Sequence, residues 1–370
     1  MSIMAVTLLL FFWRLHVAHG ITGGVETKGE ALVWTVAIGD ARTPTADHRC
    51  IGTLLSNEWI LTTASCLKNF SVPDLRVYAG CRKGSTKSCS QTLSVEKTFL
   101  HPCFNNSGRA TDQTATSMKA SDIALMKLLA PGVAVGGKTR FPLLDKVVNG
   151  AYTTPADSAT ISGWGITGYD ADEQGIHPEN MQSLTLPFIP LSTCKAKFLE
   201  LNGTYSIVKD FGMPDVVCAG AGDAKVPCDG DEGLPLTQTN DQGAVVLVGV
   251  YLFLTPPPQE YPQVDRRNPI MYPDRCTVLR RYAVFHRTAA YRDWIQATIA
   301  TGAAGSCSQH DLQTASIMKT IKTSSVRPGG VAPGRRYPWG VCPPRAGTFL
   351  GGNIADASFK QKFGAKAMQS

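Results

Sequence analysis

Three acidic residues stand within four positions in Cys228-Asp-Gly-Asp-Glu-Gly-Leu-Pro-Leu236, at Asp229, Asp231 and Glu232. Carboxyl groups so close together can bind a divalent cation or move a proton. The calcium reading fails on spacing. An EF-hand loop needs an oxygen ligand at its fifth position and Gly at its sixth, where this stretch has Gly233 and Leu234. No metal site and no cofactor is expected. A further acid, Asp122, lies in Ser121-Asp-Ile-Ala-Leu125, and a hydroxyl, Ser65, lies in Thr62-Thr-Ala-Ser-Cys66. A serine becomes a nucleophile only when a base takes its proton and a third group orients that base.

The elements that must position these groups are short. Candidate strands are Trp34–Ile38, Ile51–Leu55, Trp59–Thr62, Leu75–Ala79, Ile123–Leu128, Ala159–Trp164, Ser183–Phe188 and Ala244–Leu254. Runs of this length, rich in Val, Ile and aromatics and bounded by Gly, Pro, Asn and Ser, predict antiparallel sandwiches or barrels. One helix is expected near 288–300, where Tyr291, Trp294, Ile295 and Ile299 recur at helical spacing. Thr288 is its candidate N-cap and Gly302 its stop. Thr255–Asp274 holds six prolines in twenty residues, an unusually long irregular stretch for the inside of a compact domain.

Eleven cysteines spread along 370 residues, not clustered as C-x-x-C pairs, predict disulfides and an oxidising compartment. The N-terminus agrees. Ala5–Trp13 is an apolar run too short to span a bilayer, and Ala18 and Gly20 put small residues at −3 and −1 of a cut after Gly20. Residues 1–20 are therefore read as a signal peptide and the protein as secreted. Because no Lys or Arg precedes the apolar run, an uncleaved N-terminal core strand is the competing reading. No later segment is apolar enough to cross a membrane. Asn69, Asn105 and Asn202 each open a glycosylation sequon, which matters for a secreted chain. The net charge of +7 has one location: residues 303–370 hold nine Lys/Arg against Asp311 and Asp356, so residues 1–302 sum to zero. The body offers no electrostatic case for nucleic acid. The tail, sparse in apolar residues and broken by proline, reads as disordered, with weak polyanion binding as its alternative role.

Five segments in order resemble the trypsin/chymotrypsin family of serine proteases: Ile21-Thr-Gly-Gly24; Cys50-Ile-Gly-Thr-Leu-Leu with Trp59-Ile-Leu-Thr-Thr-Ala-Ser-Cys66; Ser121-Asp-Ile-Ala-Leu125; Ile161-Ser-Gly-Trp-Gly165; and Cys228 to Leu236. The late Asp293-Trp-Ile295 is similar to part of the family's C-terminal helix. The resemblance covers residues 21–302. It implies an all-β fold of two packed six-stranded antiparallel β-barrels, near 21–135 and 136–286, followed by the helix. It implies disulfides Cys50–Cys66, Cys194–Cys218 and Cys228–Cys276. Cys81 and Cys89 are close enough in sequence to staple one loop. Because the family's helix packs near the part of the first barrel that follows His101-Pro102, Cys103–Cys307 is the fifth expected pair. Cys342 is left over, as a free thiol or an intermolecular link.

The resemblance also assigns positions. Ser65 stands where the family has its catalytic histidine, Glu232 where it has its nucleophilic serine, and Asp122 where it has its orienting acid. Gly230 holds an oxyanion-hole position. Val226 maps to the floor of the primary specificity pocket, and Leu252, Phe253 and Leu254 map to the strand beside it. Leu254 replaces a glycine that lets a substrate side chain pass, so the pocket entrance is expected to be filled. His48, His101, His177 and His286 map away from the cleft. Ile21 and Asp231 correspond to the family's ion pair between a freed N-terminus and a buried acid, and the signal cut falls directly before Ile21.

With a hydroxyl and a carboxylate in place of imidazole and alcohol, the expected protein is a non-catalytic homologue. It would bind or scaffold extracellular protein partners, a protease or its substrate among them, and so regulate a protease cascade. The alternative is a serine-type endopeptidase or unusual hydrolase of the same fold, working through Glu232 with Asp122.

Overall fold

The computed structural model describes residues 21–307 apart from 28–30, 44–47, 82–87, 105–120, 137–139, 147–156, 166–167, 170–174, 177, 200–215, 224, 229 and 256–280. The expected signal peptide, Asn105, His177, Asn202, Cys276, Cys342, the tail from 308 onward and all but the first residue of Thr255–Asp274 lie outside the described residues.

Six strands, Thr35–Asp40, Cys50–Leu54, Trp59–Thr62, Leu75–Ala79, Gln91–Leu100 and Ala124–Leu128, close into an antiparallel barrel. Ala37 closes it, lying opposite Ile51 on one side and Tyr78 on the other. Val36, Ile38, Leu54, Ile60, Val77 and Met126 belong to its core, and burying each such side chain stabilises by roughly 1.5–3 kcal/mol. A second ring runs Ser158–Gly163, Gln182–Ile189, Val216–Ala219, Ala283–Arg287, Val245–Leu254, Pro235–Thr239 and back to Ser158–Gly163. Its Gln182–Ile189 strand shows the pleat plainly: Leu184, Leu186 and Phe188 are buried while Thr185 is exposed. The architecture is the two-barrel, all-β fold expected.

One apolar cluster joins the barrels. Ala37, Ile51 and Tyr78 of the first pack with Ile161, Trp164 and Leu234 of the second. The Trp59–Thr62 strand serves two cores. Ile60 belongs to the first barrel's core, while Trp59 and Leu61 pack with Leu247, Val250, Tyr291 and Ile295. The C-terminal helix, Arg292–Thr301, therefore docks on residues from both barrels. Among the described residues the disulfides are Cys50–Cys66, Cys81–Cys89, Cys103–Cys307 and Cys194–Cys218. Cys228 is also disulfide-bonded, and its expected partner Cys276 lies outside the described residues.

The helix corrects one expectation. Thr288 is not its N-cap. Thr288–Tyr291 form a 3-10 turn, Tyr291 precedes the helix, and Thr288 is fully buried. Its hydroxyl donates to the carbonyls of Leu247 and Val248, so it fastens the turn to the neighbouring strand instead of capping. Gly302 does end the helix, in the left-handed conformation at φ 67°. Among the described residues no helix is long and apolar enough to cross a membrane.

Candidate functional site

The Trp59–Thr62 strand runs into Thr63, which is extended, and then into the short helix Ala64–Leu67. That bend presents Ser65. Its backbone N–H donates to Asp122 Oδ1 at 2.6 Å, and its hydroxyl lies 3.2 Å from the Thr63 hydroxyl. Asp122 is buried at the entry to the Ala124–Leu128 strand. Ser121, immediately before it, takes φ 55°, a left-handed conformation that costs a non-glycine residue roughly 1–2 kcal/mol. Strain of this kind persists only where the surroundings over-determine it. Here it turns the chain so that the next carboxyl group meets the backbone at residue 65.

Glu232 arrives from the second barrel. Its backbone carbonyl accepts from the Ile51 N–H at 2.8 Å, and Cys66 Sγ lies 3.8 Å from the same oxygen. The Cys50–Cys66 bridge thus fixes the chain on both sides of that contact. Gly233 makes the approach feasible. It sits at φ +86°, and a Cβ there would stand 2.1 Å from the Ile51 carbonyl oxygen. Ser65, Asp122 and Glu232 are therefore brought to one place where the barrels meet. The Glu232 side chain turns back on its own loop: Oε2 accepts from the Gly230 N–H at 3.0 Å.

Asp231 points the other way and is fully buried. Its Oδ1 accepts from Gly165 N–H at 2.9 Å and its Oδ2 from Cys228 N–H at 2.9 Å. A Cβ on Gly165 would sit 2.2 Å from this carboxyl group, so the glycine is what admits it. The role of Gly165 was not legible in the sequence, where it stood only as the end of a Gly-Trp-Gly segment. Ile21 is fully buried in the same cluster as Trp164 and Leu234.

The positions that the resemblance assigns to the specificity pocket are apolar, with Val226 fully buried and Leu252, Phe253 and Leu254 half-buried. Leu252 and Phe253 pack against Cys194, Val216, Cys218 and Val284, and Leu254 packs against the cluster that joins the barrels. Leu254 pairs with Ala283 across the sheet, and Thr255 continues the link by donating its N–H to the Tyr282 carbonyl and accepting from Tyr282 N–H at its hydroxyl.

The described histidines are buried among aromatic rings. His101 packs against Tyr291 and Trp294, with ring centroids 5.3 and 4.9 Å away. His286 lies 5.1 Å from Tyr291, and His48 stands 6.1 Å from Trp164. No group of three or more His, Cys, Asp or Glu among the described residues could hold a metal ion.

Comparison with known proteins places this geometry. Residues 21–295 match the family model described as Trypsin. The chain is 31% identical over 235 residues to the venom peptide isomerase heavy chain of Agelenopsis aperta, covering 62% of this chain and 87% of that protein. It is 28% identical over 239 residues to U21-ctenitoxin-Pn1a of Phoneutria nigriventer, covering 62% and 86%. It is also 24% identical over 288 residues to transmembrane protease serine 11C of Mus musculus, covering 76% and 54%.

Proposed function

Because the chain belongs to the trypsin family, we propose that it is a secreted homologue that does not hydrolyse peptides and acts by binding protein partners in an extracellular protease cascade. The observation that carries this reading is the pair of side chains in the cleft. Ser65 meets Asp122, the acid that would orient a base, through its backbone N–H, and Glu232, held at its carbonyl by Ile51, takes the position that the resemblance gives to the attacking alcohol. A serine hydroxyl accepts a proton far too weakly to be a general base near neutral pH. A carboxylate is a poor acyl acceptor. Losing one triad member costs several orders of magnitude in rate, and two are absent here. The buried Val226 and the leucine at position 254 further support a cleft that takes no substrate side chain.

Secretion rests on the N-terminal apolar run and on the disulfides, which persist in oxidising compartments. Cleavage after Gly20 frees the amine of Ile21, and Asp231 is the buried acid that receives it. A mature N-terminus other than Ile21, read by terminal sequencing of secreted material, overturns that part. Asn69 is exposed beside the Ala64–Leu67 helix and is the sequon that a glycan can reach among the described residues.

The test is a fluorophosphonate probe together with a peptide library read for both mass and chirality. Neither labelling nor turnover is expected. The second reading, peptide chemistry by the Glu232 and Asp122 carboxyl groups, draws on the relative named a peptide isomerase. It is the one that survives if cleavage or inversion of a residue is found and is lost in Glu232→Gln or Asp122→Asn.

A further inference from the structure

We infer that the Glu232 carboxylate is a tethered ligand occupying the oxyanion site of its own cleft, so that the protein excludes a peptide carbonyl from that site and its partners dock elsewhere. The inference rests on the non-catalytic reading and says how the site is kept closed. Its observation is the 3.0 Å hydrogen bond from Gly230 N–H to Glu232 Oε2. The resemblance gives Gly230 N–H as a donor to the oxygen that becomes negative in acyl transfer. A carboxylate oxygen carries that negative charge already. Bonds from backbone N–H to an ionised acceptor are roughly twice as strong as neutral ones.

Donor and acceptor are only two residues apart on a turn whose far side is bolted down. Asp231, between them, is held by Gly165 and Cys228, and the Glu232 carbonyl is held by Ile51. The ligand is therefore presented at high effective concentration, and an incoming carbonyl competes with an occupant that loses little entropy on binding. Gly230 is itself half-buried, which raises the cost of leaving its N–H without a partner. Replacing a catalytic serine by alanine or glycine would leave this donor open to a substrate carbonyl. A glutamate closes it.

The experiment reads Gly230 directly. Asp229-Gly230 is the only Asp-Gly pair in the sequence, so protein labelled with 13C-carbonyl aspartate and 15N-glycine gives one selective amide signal. In the full secreted chain that signal is expected downfield. In Glu232→Gln it moves upfield, and in Glu232→Ala further, with amide exchange at Gly230 faster by about tenfold or more. Near-UV circular dichroism matching the wild type certifies that each variant is folded, and the nearly isosteric Glu232→Gln serves if Glu232→Ala does not fold. An unchanged Gly230 shift and exchange rate in a folded variant overturn the inference. The two readings fail separately. A missing Gly230 contact without turnover defeats this inference alone, whereas turnover by wild-type protein with the contact intact defeats the non-catalytic reading alone.

Discussion

At position 65 it is the backbone, not the side chain, that holds Asp122, through the 2.6 Å bond from Ser65 N–H. At position 232 it is again the backbone that is fixed, by Ile51 N–H. The two positions are therefore supported independently of what side chains they carry. Ser65→His together with Glu232→Ser places a base and an alcohol on an unchanged frame and vacates Gly230 N–H at the same stroke. The double variant is expected to react with a fluorophosphonate at least ~10³-fold faster than wild type, while each single variant stays near background, because triad members act as a unit. Intact-mass spectrometry over time gives the rates. The probe is chosen because a small phosphonate needs no specificity pocket, and Val226 is buried. Silence of the folded double variant would mean that more than these two side chains separates this cleft from a catalytic one.

The C-terminal helix is attached in several ways. Ile295 is fully buried, Trp294 Nε1 donates to the Ala304 carbonyl, and Lys97 Nζ donates to the Gly302 carbonyl. Beyond the helix, Cys103–Cys307 closes a loop across 204 positions. A cross-link over so long a loop restricts the unfolded chain most. Cys103→Ser with Cys307→Ser is expected to cost about 2–4 kcal/mol, or roughly 5–15 °C in Tm by thermal unfolding under oxidising conditions. An unchanged Tm would assign the anchoring to Ile295 and Trp294 alone. The helix and eight strands were legible because their apolar residues recur at short, regular intervals. Gln91–Leu100 was not. It is mostly polar on its exposed positions, and a register shift between Val95 and Lys97 breaks its alternation. Pro235–Thr239 opens on proline and so carried no clear strand signal, and Val216–Ala219 was likewise not read. In the site, Ser65, Asp122 and Glu232 could be picked out from local motifs, and the structure brings them together. The Gly230–Glu232 bond and the strain at Ser121 could not, since both depend on dihedral angles that no residue type dictates.

For the whole molecule the charge is divided unevenly. The nine Lys/Arg beyond residue 302 exceed the acids there by seven, which is the entire net charge of +7. A basic segment of this kind attracts polyanions through screened, sequence-independent attraction that falls steeply with salt. The full chain is expected to be retained on heparin at low ionic strength and to elute as salt rises. The informative truncation ends at Cys307, since it removes every one of those nine cations while keeping the Cys103–Cys307 bridge and hence the anchoring of the helix. That shortened protein is expected in the flow-through. If it eluted at the same salt as the full chain, the binding would belong to the folded body. The place to look would then be Arg42 and Arg49, whose guanidinium groups lie 5.6 and 4.8 Å from the Phe70 ring centre. Arg42 already pairs with Asp40 and Asp74, so Arg49→Ala would be the variant that decides whether a surface cation, and not the tail, holds the polyanion.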